Sequence, residues 1–96
     1  MGEIEFLTDK KDNPMRISIE ANQIEIPEQI DGQIRAKVGK LEHYFSNIID
    51  AIVFLHTHPK HKEIEIKLNV PNDTLFVKDQ GESWTEALDI AYDHMK

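Results

Sequence analysis

The chain has 96 residues, enough for one compact domain, and its 18 acidic and 11 basic residues give a net charge of −7. This balance argues against a generic basic nucleic-acid coat, although it leaves room for a local basic face. The chain has no cysteine, no apolar run of membrane-spanning length and no apolar N-terminal signal segment, so we expect a cytoplasmic protein without disulfides or thiolate metal sites.

The N-terminal part of the chain predicts an arm, residues 1–14, ahead of a domain that covers residues 15–96. Residues 9–13, DKKDN, are polar and are followed by a proline, which is typical of a connector. The domain then opens with Arg16–Ala21, where isoleucines alternate with polar or charged residues. This alternation predicts the first strand.

The second predicted element is an amphipathic helix over residues 28–46, with Pro27 at its start. Apolar residues recur there at steps of three and four, which places them on one helical face. They are Ile30, Ile34, Val38, Leu41, Phe45 and Ile48. Gly32 and Gly39 each cost about 1 kcal/mol relative to alanine in such a helix. We interpret them as positions where the helix backbone approaches a sheet closely.

Three strands are predicted next. Residues 51–56, AIVFLH, form a β-branched and aromatic run, and residues 63–70, EIEIKLNV, alternate strictly between apolar and polar side chains. The strict alternation indicates one buried and one wet face, which suits an antiparallel sheet. A shorter strand follows over residues 74–78.

The last predicted element is a second helix. Ser83 is a plausible N-cap, and Glu86 three residues later completes a capping box. The helix carries one apolar stripe, formed by Trp84, Ala87, Leu88, Ala91 and Met95. The order β-α-β-β-β-α predicts a two-layer α+β domain, in which two helices cover one face of a four-stranded sheet.

The charges of the first helix are sorted by side. Lys37, Lys40 and His43 fall on one flank, whereas Asp31 and Glu42 fall on the other. Such a flank is either a solvated edge, whose lysine stems cover apolar neighbours, or a surface that contacts phosphates. Helical phase alone leaves both interpretations open.

Two long segments carry a more specific signal. IPEQIDGQIRAKVGKLEHYFSNIIDAIVFL contains a Lys-x-x-Lys-Leu-Glu core followed by the aromatic pair Tyr44-Phe45. EIEIKLNVPNDTLFVKDQGESWTEALDIAYDHMK contains Ser83–Asp89, SWTEALD, at the start of the second helix. Collinearly, over residues 15–96, the chain resembles a short form of the ribosome hibernation promoting factor family, which includes the ribosome-associated inhibitor A proteins, also called sigma-54 modulation proteins.

The resemblance implies both a fold and a function. The fold is similar to that of double-stranded-RNA-binding domains. Proteins of this family bind rRNA of the small ribosomal subunit in the channel for mRNA and tRNA, and so silence ribosomes under stress. Such binding depends on shape and phosphate contacts rather than on base identity. The resemblance therefore implies no enzyme activity, no cofactor, and no DNA, membrane or small-molecule partner.

The resemblance also implies a set of rRNA-binding residues. Lys37 and Lys40 match the basic positions of the family's first helix, and His43 follows on the same flank. His94 occupies a position that is usually lysine, and Lys96 begins the usual basic C-terminal run. Since the net charge is unusually acidic for an rRNA binder, a protein-interaction module that kept the fold but lost RNA binding is the alternative.

A histidine cluster, HTHPKH, remains outside these assignments. His56, His58 and His61 would need a third ligand and a fixed second shell to hold a metal. We predict instead a polar hairpin end without a metal. A small metal-dependent enzyme that uses these histidines is the less favoured interpretation.

Overall fold

The computed structural model describes residues 15–22, 24–45 and 47–96, and the predicted arm at residues 1–14 lies outside the described residues. The elements along the chain are β1 (Arg16–Ala21), α1 (Glu28–Gly39), a 3₁₀ helix (Lys40–His43), β2 (Asp50–Thr57), β3 (Lys62–Val70), β4 (Asp73–Gly81) and α2 (Trp84–Met95). This order confirms the predicted β-α-β-β-β-α domain.

The four strands form one sheet in the order β1-β2-β3-β4. β1 pairs with β2 in parallel, whereas the β2–β3 and β3–β4 pairs are antiparallel. The parallel pair follows from the helix between the two strands, because a parallel connection needs a crossover, and the two short turns produce antiparallel hairpins. The sheet is therefore mixed, with the strictly alternating β3 in an antiparallel setting on both sides.

The hydrophobic core lies between the sheet and the two helices. On β3, Ile64, Ile66 and Leu68 are fully buried, as their alternation predicts. From α1 and the 3₁₀ helix, the core receives Ile34, Val38 and Leu41, and from α2 it receives Ala87, Leu88, Ala91 and Met95. Since residues of both helices join one core cluster with this sheet face, the predicted two-layer arrangement is confirmed.

The first helix is shorter than predicted. Regular α-helix ends at Gly39, and the chain tightens into the 3₁₀ helix Lys40–His43. The amide of Lys40 donates to the carbonyl of Lys37, three residues earlier, which is the hydrogen bond of a 3₁₀ turn, and it also contacts the carbonyl of Val38. Leu41 stays buried in spite of the change. The apolar periodicity therefore predicted side chains that face the core but not the type of helix, and Phe45 and Ile48 reach the core from beyond the last helical residue.

The expected close approach of Gly32 and Gly39 to the sheet is wrong. A Cβ atom added at either glycine would meet no atom within 4 Å. The close approach occurs instead at Gly81, the last residue of β4, where an added Cβ would lie 2.8 Å from the backbone nitrogen of Ala87. Gly81 therefore allows the chain to fold back tightly from β4 into α2.

The start of α2 is capped as the sequence predicts. Ser83 Oγ accepts a hydrogen bond from the amide of Glu86 at 3.1 Å. The carboxylate of Glu86 reaches back and accepts from the amide of Glu82 at 2.7 Å, one residue earlier than in the standard capping box. None of the helices that the structure describes is long and apolar enough to cross a membrane.

Candidate nucleic-acid interface

The two helices lie side by side and leave an open groove between them. Thr85 Oγ1 of α2 donates a hydrogen bond to Gln33 Oε1 of α1 at 2.9 Å, which ties the helices together across the surface. The groove has a volume of about 370 Å³, and its lining includes Lys37, Lys40 and Asp89. The flank of α1 that the sequence marks as basic therefore forms one wall of this groove.

The charge pattern of α1 alone suggests that Lys37 lies away from acidic groups, but in the folded protein it lies beside one. Its Nζ lies 3.0 Å from Asp89 Oδ1 of α2 and 5.2 Å from the centre of the Tyr92 ring. Only 30% of the Lys37 side chain is exposed. The expectation that Lys37 lies away from the acids is correct within α1 and wrong in the folded protein, because α2 brings a carboxylate to it.

Two tyrosines and two lysines, Lys37, Tyr44, Tyr92 and Lys96, form what we call the tyrosine–lysine cluster. The Tyr44 and Tyr92 rings meet edge to face, with centroids 6.5 Å apart at 74°. Lys96 Nζ lies 5.7 Å from the Tyr44 centroid and 5.0 Å from the Tyr92 centroid, and it also lies 3.6 Å from Asp93 Oδ1. The cluster therefore combines two ammonium groups with aromatic faces, although each ammonium group already has an acidic neighbour.

The two tyrosines differ in exposure. Tyr44 is 53% exposed, whereas Tyr92 is only 8% exposed. Burial raises the pKa of Tyr92 above its ordinary value of 10.0, and the neighbouring Tyr44 adds to the rise. Tyr92 is therefore the buried, uncharged ring of the cluster, and Tyr44 is the ring that a ligand can reach.

Lys40 and His43 are the most available of the predicted site residues. Both side chains are exposed, at the two ends of the 3₁₀ helix. Among the described residues neither one forms an ion pair. Lys40 is consequently the cation of this surface that a phosphate can contact without displacing a carboxylate.

His94 lies apart from the other predicted residues. Its Nδ1 is 2.9 Å from Asp79 Oδ2 of β4. At about 100° per residue, the five residues from Asp89 to His94 turn α2 by about 140°, so the two side chains leave the helix on different flanks. The structure thus brings Lys37, Lys40 and Lys96 towards one surface and directs His94 to another.

Two residues of this surface, Tyr44 and Asp89, were not predicted as site residues. The sequence does indicate that Tyr44 is exposed, because it falls beside the apolar stripe of the first helix rather than on it. Nothing in the sequence indicates the role of Asp89, since its pairing with Lys37 depends on how the two helices pack. An exposed aromatic ring on the same surface as Lys40, which is unpaired among the described residues, suits base stacking combined with phosphate contact.

The histidine cluster lies elsewhere, at the end of the β2–β3 hairpin. His58 Nε2 is 2.6 Å from Glu63 Oε1, and His56 Nε2 is 3.4 Å from Glu65 Oε1. Burial alone would raise the pKa of the Glu63 carboxyl, but the contact with His58 and the charge of Lys78 lower it below the ordinary 4.5. Glu63 alternates with the buried Ile64, so this cluster lies on the sheet face that the helices leave open.

Comparison with known proteins places the chain in a family. Residues 17–96 match the family model described as sigma 54 modulation protein / S30EA ribosomal protein. No curated protein sequence matches the chain significantly.

Solved structures share the fold. A ribosomal subunit interface protein from Coxiella burnetii superposes with a TM-score of 0.78 at 12% identity, over 83% of this chain and 88% of that chain. The N-terminal domain of Protein Y from Thermus thermophilus superposes with a TM-score of 0.75 at 25% identity, over 83% and 90% of the two chains. From the family match over most of its length, we conclude that this chain belongs to the sigma-54 modulation protein / S30EA ribosomal protein family.

Proposed function

We propose that this protein associates with the ribosome by binding rRNA of the small subunit in the channel for mRNA and tRNA, and that it silences ribosomes under stress. The family match over residues 17–96 is the observation that carries the proposal. The names of the two similar structures, a ribosomal subunit interface protein and Protein Y, support it. The proposed mechanism is steric occupancy of the channel, which requires no catalytic group.

The helix surface supports RNA contact of a particular kind. Lys40 is exposed and unpaired among the described residues, whereas Lys37 and Lys96 lie beside Asp89 and Asp93. Each phosphate contact makes the fall of log K with log salt steeper, by about 0.7 for single-stranded nucleic acid and by about 0.9 for a duplex. Because few cations are free here, we expect a shallow salt dependence and a larger share of the affinity from shape and from the exposed ring of Tyr44.

Sedimentation through sucrose gradients with purified ribosomal subunits tests this proposal. We expect the protein to travel with the small subunit at low salt, and we expect initiator tRNA and mRNA to reduce its binding by competition. Protein that stays at the top of a low-salt gradient would show that it does not bind the subunit. Protein that binds equally well in the presence of tRNA and mRNA would refute the location in the channel.

A charge reversal tests the role of the helix surface. Lys40→Glu should weaken binding. It should also make the slope of log K against log salt shallower by about 0.7–0.9, the amount for one lost phosphate contact. The matched control is Lys60→Glu, which makes the same change at an exposed position in the β2–β3 turn. Equal losses in the two variants would assign the effect to net charge and remove Lys40 from the interface.

The second candidate function is a protein-interaction module that has lost RNA binding. The observation in its favour is that Lys37, His94 and Lys96 each lie beside a carboxylate. Capture of partners with and without nuclease distinguishes the two functions. A protein partner survives RNA digestion, whereas association through rRNA is lost.

A further inference from the structure

The end of the β2–β3 hairpin holds two histidines in a fixed arrangement. The amide of His58 donates to the carbonyl of His61 at 3.0 Å, which closes the turn over Pro59 and Lys60. The two imidazole rings stack with centroids 4.4 Å apart at 23°. The turn therefore holds both rings side by side, since their backbones are joined directly.

A carboxylate completes the group. Glu63 extends from β3 towards the turn, and its Oε1 lies 2.6 Å from His58 Nε2. One ligand atom from each of His58, His61 and Glu63 lies within 4.8 Å of the other two, and all three residues are half-buried. Within the part of the chain that the structure describes, no other set of His, Cys, Asp or Glu side chains converges in this way.

We propose that His58, His61 and Glu63 bind a divalent transition metal ion of the zinc class, with water in the fourth position. Two imidazole nitrogens and one carboxylate oxygen form a donor set that Zn²⁺ prefers, whereas Mg²⁺ and Ca²⁺ select oxygen ligands. The third ligand that the histidine pattern alone lacks is supplied by Glu63, which the alternation of β3 places on the same open face.

The distances allow the ion to enter with small movements. Bonds of about 2.0–2.2 Å to a tetrahedral zinc ion hold neighbouring ligand atoms about 3.3–3.6 Å apart. The His58–Glu63 contact of 2.6 Å must therefore open by roughly 1 Å, and the other two gaps, which are at most 4.8 Å, must close by about 1.5 Å or less. The two stacked imidazole rings must also turn so that each directs a ring nitrogen at the ion, a rotation of side chains that leaves the strand backbone in place.

The surroundings orient the carboxylate and also limit the affinity. Lys78 Nζ lies 3.7 Å from Glu63 Oε2, the oxygen that does not face His58, and an equal distance from Glu65 Oε2. Lys78 thus directs Oε1 towards the histidines as an outer-shell partner. Its positive charge opposes a cation, so we expect weaker binding than in a closed structural zinc site.

Titration calorimetry with Zn²⁺ tests the proposal on the full chain, prepared without a histidine tag and freed of metal with a chelator. We expect one ion per chain. His61→Gln and Glu63→Gln should each weaken binding at least tenfold, because each removes one of three protein ligands. His43→Gln, an exposed histidine on the helix side of the domain, should leave the affinity unchanged.

Cobalt absorption supplies a second readout. Co²⁺ in place of zinc should give intense visible bands of a four-coordinate site in the original chain, and these bands should be absent from His61→Gln. The proposal is overturned if the original chain binds zinc no more tightly than a His58→Gln, His61→Gln double variant. It is also overturned if His61→Gln binds zinc as tightly as the original chain. Circular dichroism confirms that each variant is folded.

The metal site and the ribosome proposal are independent. His58, His61 and Glu63 lie at the open face of the sheet, whereas Lys40 and Tyr44 belong to the helix side. Loss of zinc binding in His61→Gln with normal sedimentation on the small subunit would support the metal site as a separate feature.

Discussion

Replacement of Gly32 by alanine should stabilise this protein. Gly32 lies in the interior of α1, which runs from Glu28 to Gly39. A Cβ atom at this position meets no atom within 4 Å, and the backbone there does not adopt a positive φ angle. The added methyl group therefore neither clashes nor gains a packing partner.

The size of the effect follows from this open surrounding. Because no contact is made or lost, the change in the free energy of unfolding is the difference in helix propensity, about 1 kcal/mol in favour of alanine. This gain arises largely in the unfolded chain, which has fewer conformations to lose when alanine replaces glycine. For a domain of this size, the corresponding rise in the melting temperature is about 4–8 °C.

Urea denaturation followed by circular dichroism measures the change, and Gly81→Ala provides a control of opposite sign. At Gly81 the added Cβ would lie 2.8 Å from the backbone nitrogen of Ala87 and 3.0 Å from Glu86 Cβ. Because backbone cannot move aside cheaply, we expect a loss of about 1–3 kcal/mol there. Equal or lower stability in Gly32→Ala would refute the conclusion that this surface of α1 is open.

Three further predictions concern the groove, the buried tyrosine and the cap of α2. Asp89→Asn should strengthen binding to the small subunit and steepen its salt dependence, because it frees Lys37. The control Glu25→Gln removes the same charge from an exposed loop. Equal gains of the two variants in sedimentation assays would refute a role for the Lys37–Asp89 pair. Burial raises the folded-state pKa of Tyr92, so its contribution to stability is complete below the ordinary pKa of 10.0 and is lost as the pH rises through the folded-state value. Urea denaturation of Tyr92→Phe should show a smaller loss above pH 10.0, and parallel profiles would contradict the burial argument. Ser83→Ala should cost about 1 kcal/mol of unfolding free energy and Ser83→Gly only a few tenths, whereas identical losses in the two variants would show that the hydroxyl is not the cap.

Local patterns determined most of the fold. The alternation of β3 and the three-and-four spacing before Phe45 predicted which side chains enter the core, since strand and helix geometry fix the direction of each side chain. The serine cap of α2 was equally readable, because capping involves residues only three positions apart. The same local rules could not tell that α1 would tighten into a 3₁₀ helix after Gly39, because the buried Leu41 there follows the same three-and-four spacing.

The candidate sites depended on contacts between distant parts of the chain. Periodicity and turn residues were enough to put Lys37 and Lys40 on one flank of the first helix and His56, His58 and His61 at a hairpin end. The pairing of Asp89 with Lys37, the contact of Tyr44 with Tyr92 and the approach of Glu63 to the histidines appear only when distant elements pack together. A charge or a ligand set acts through distances of a few ångströms. Periodicity assigns each side chain to a face, whereas packing sets the distance between one face and another.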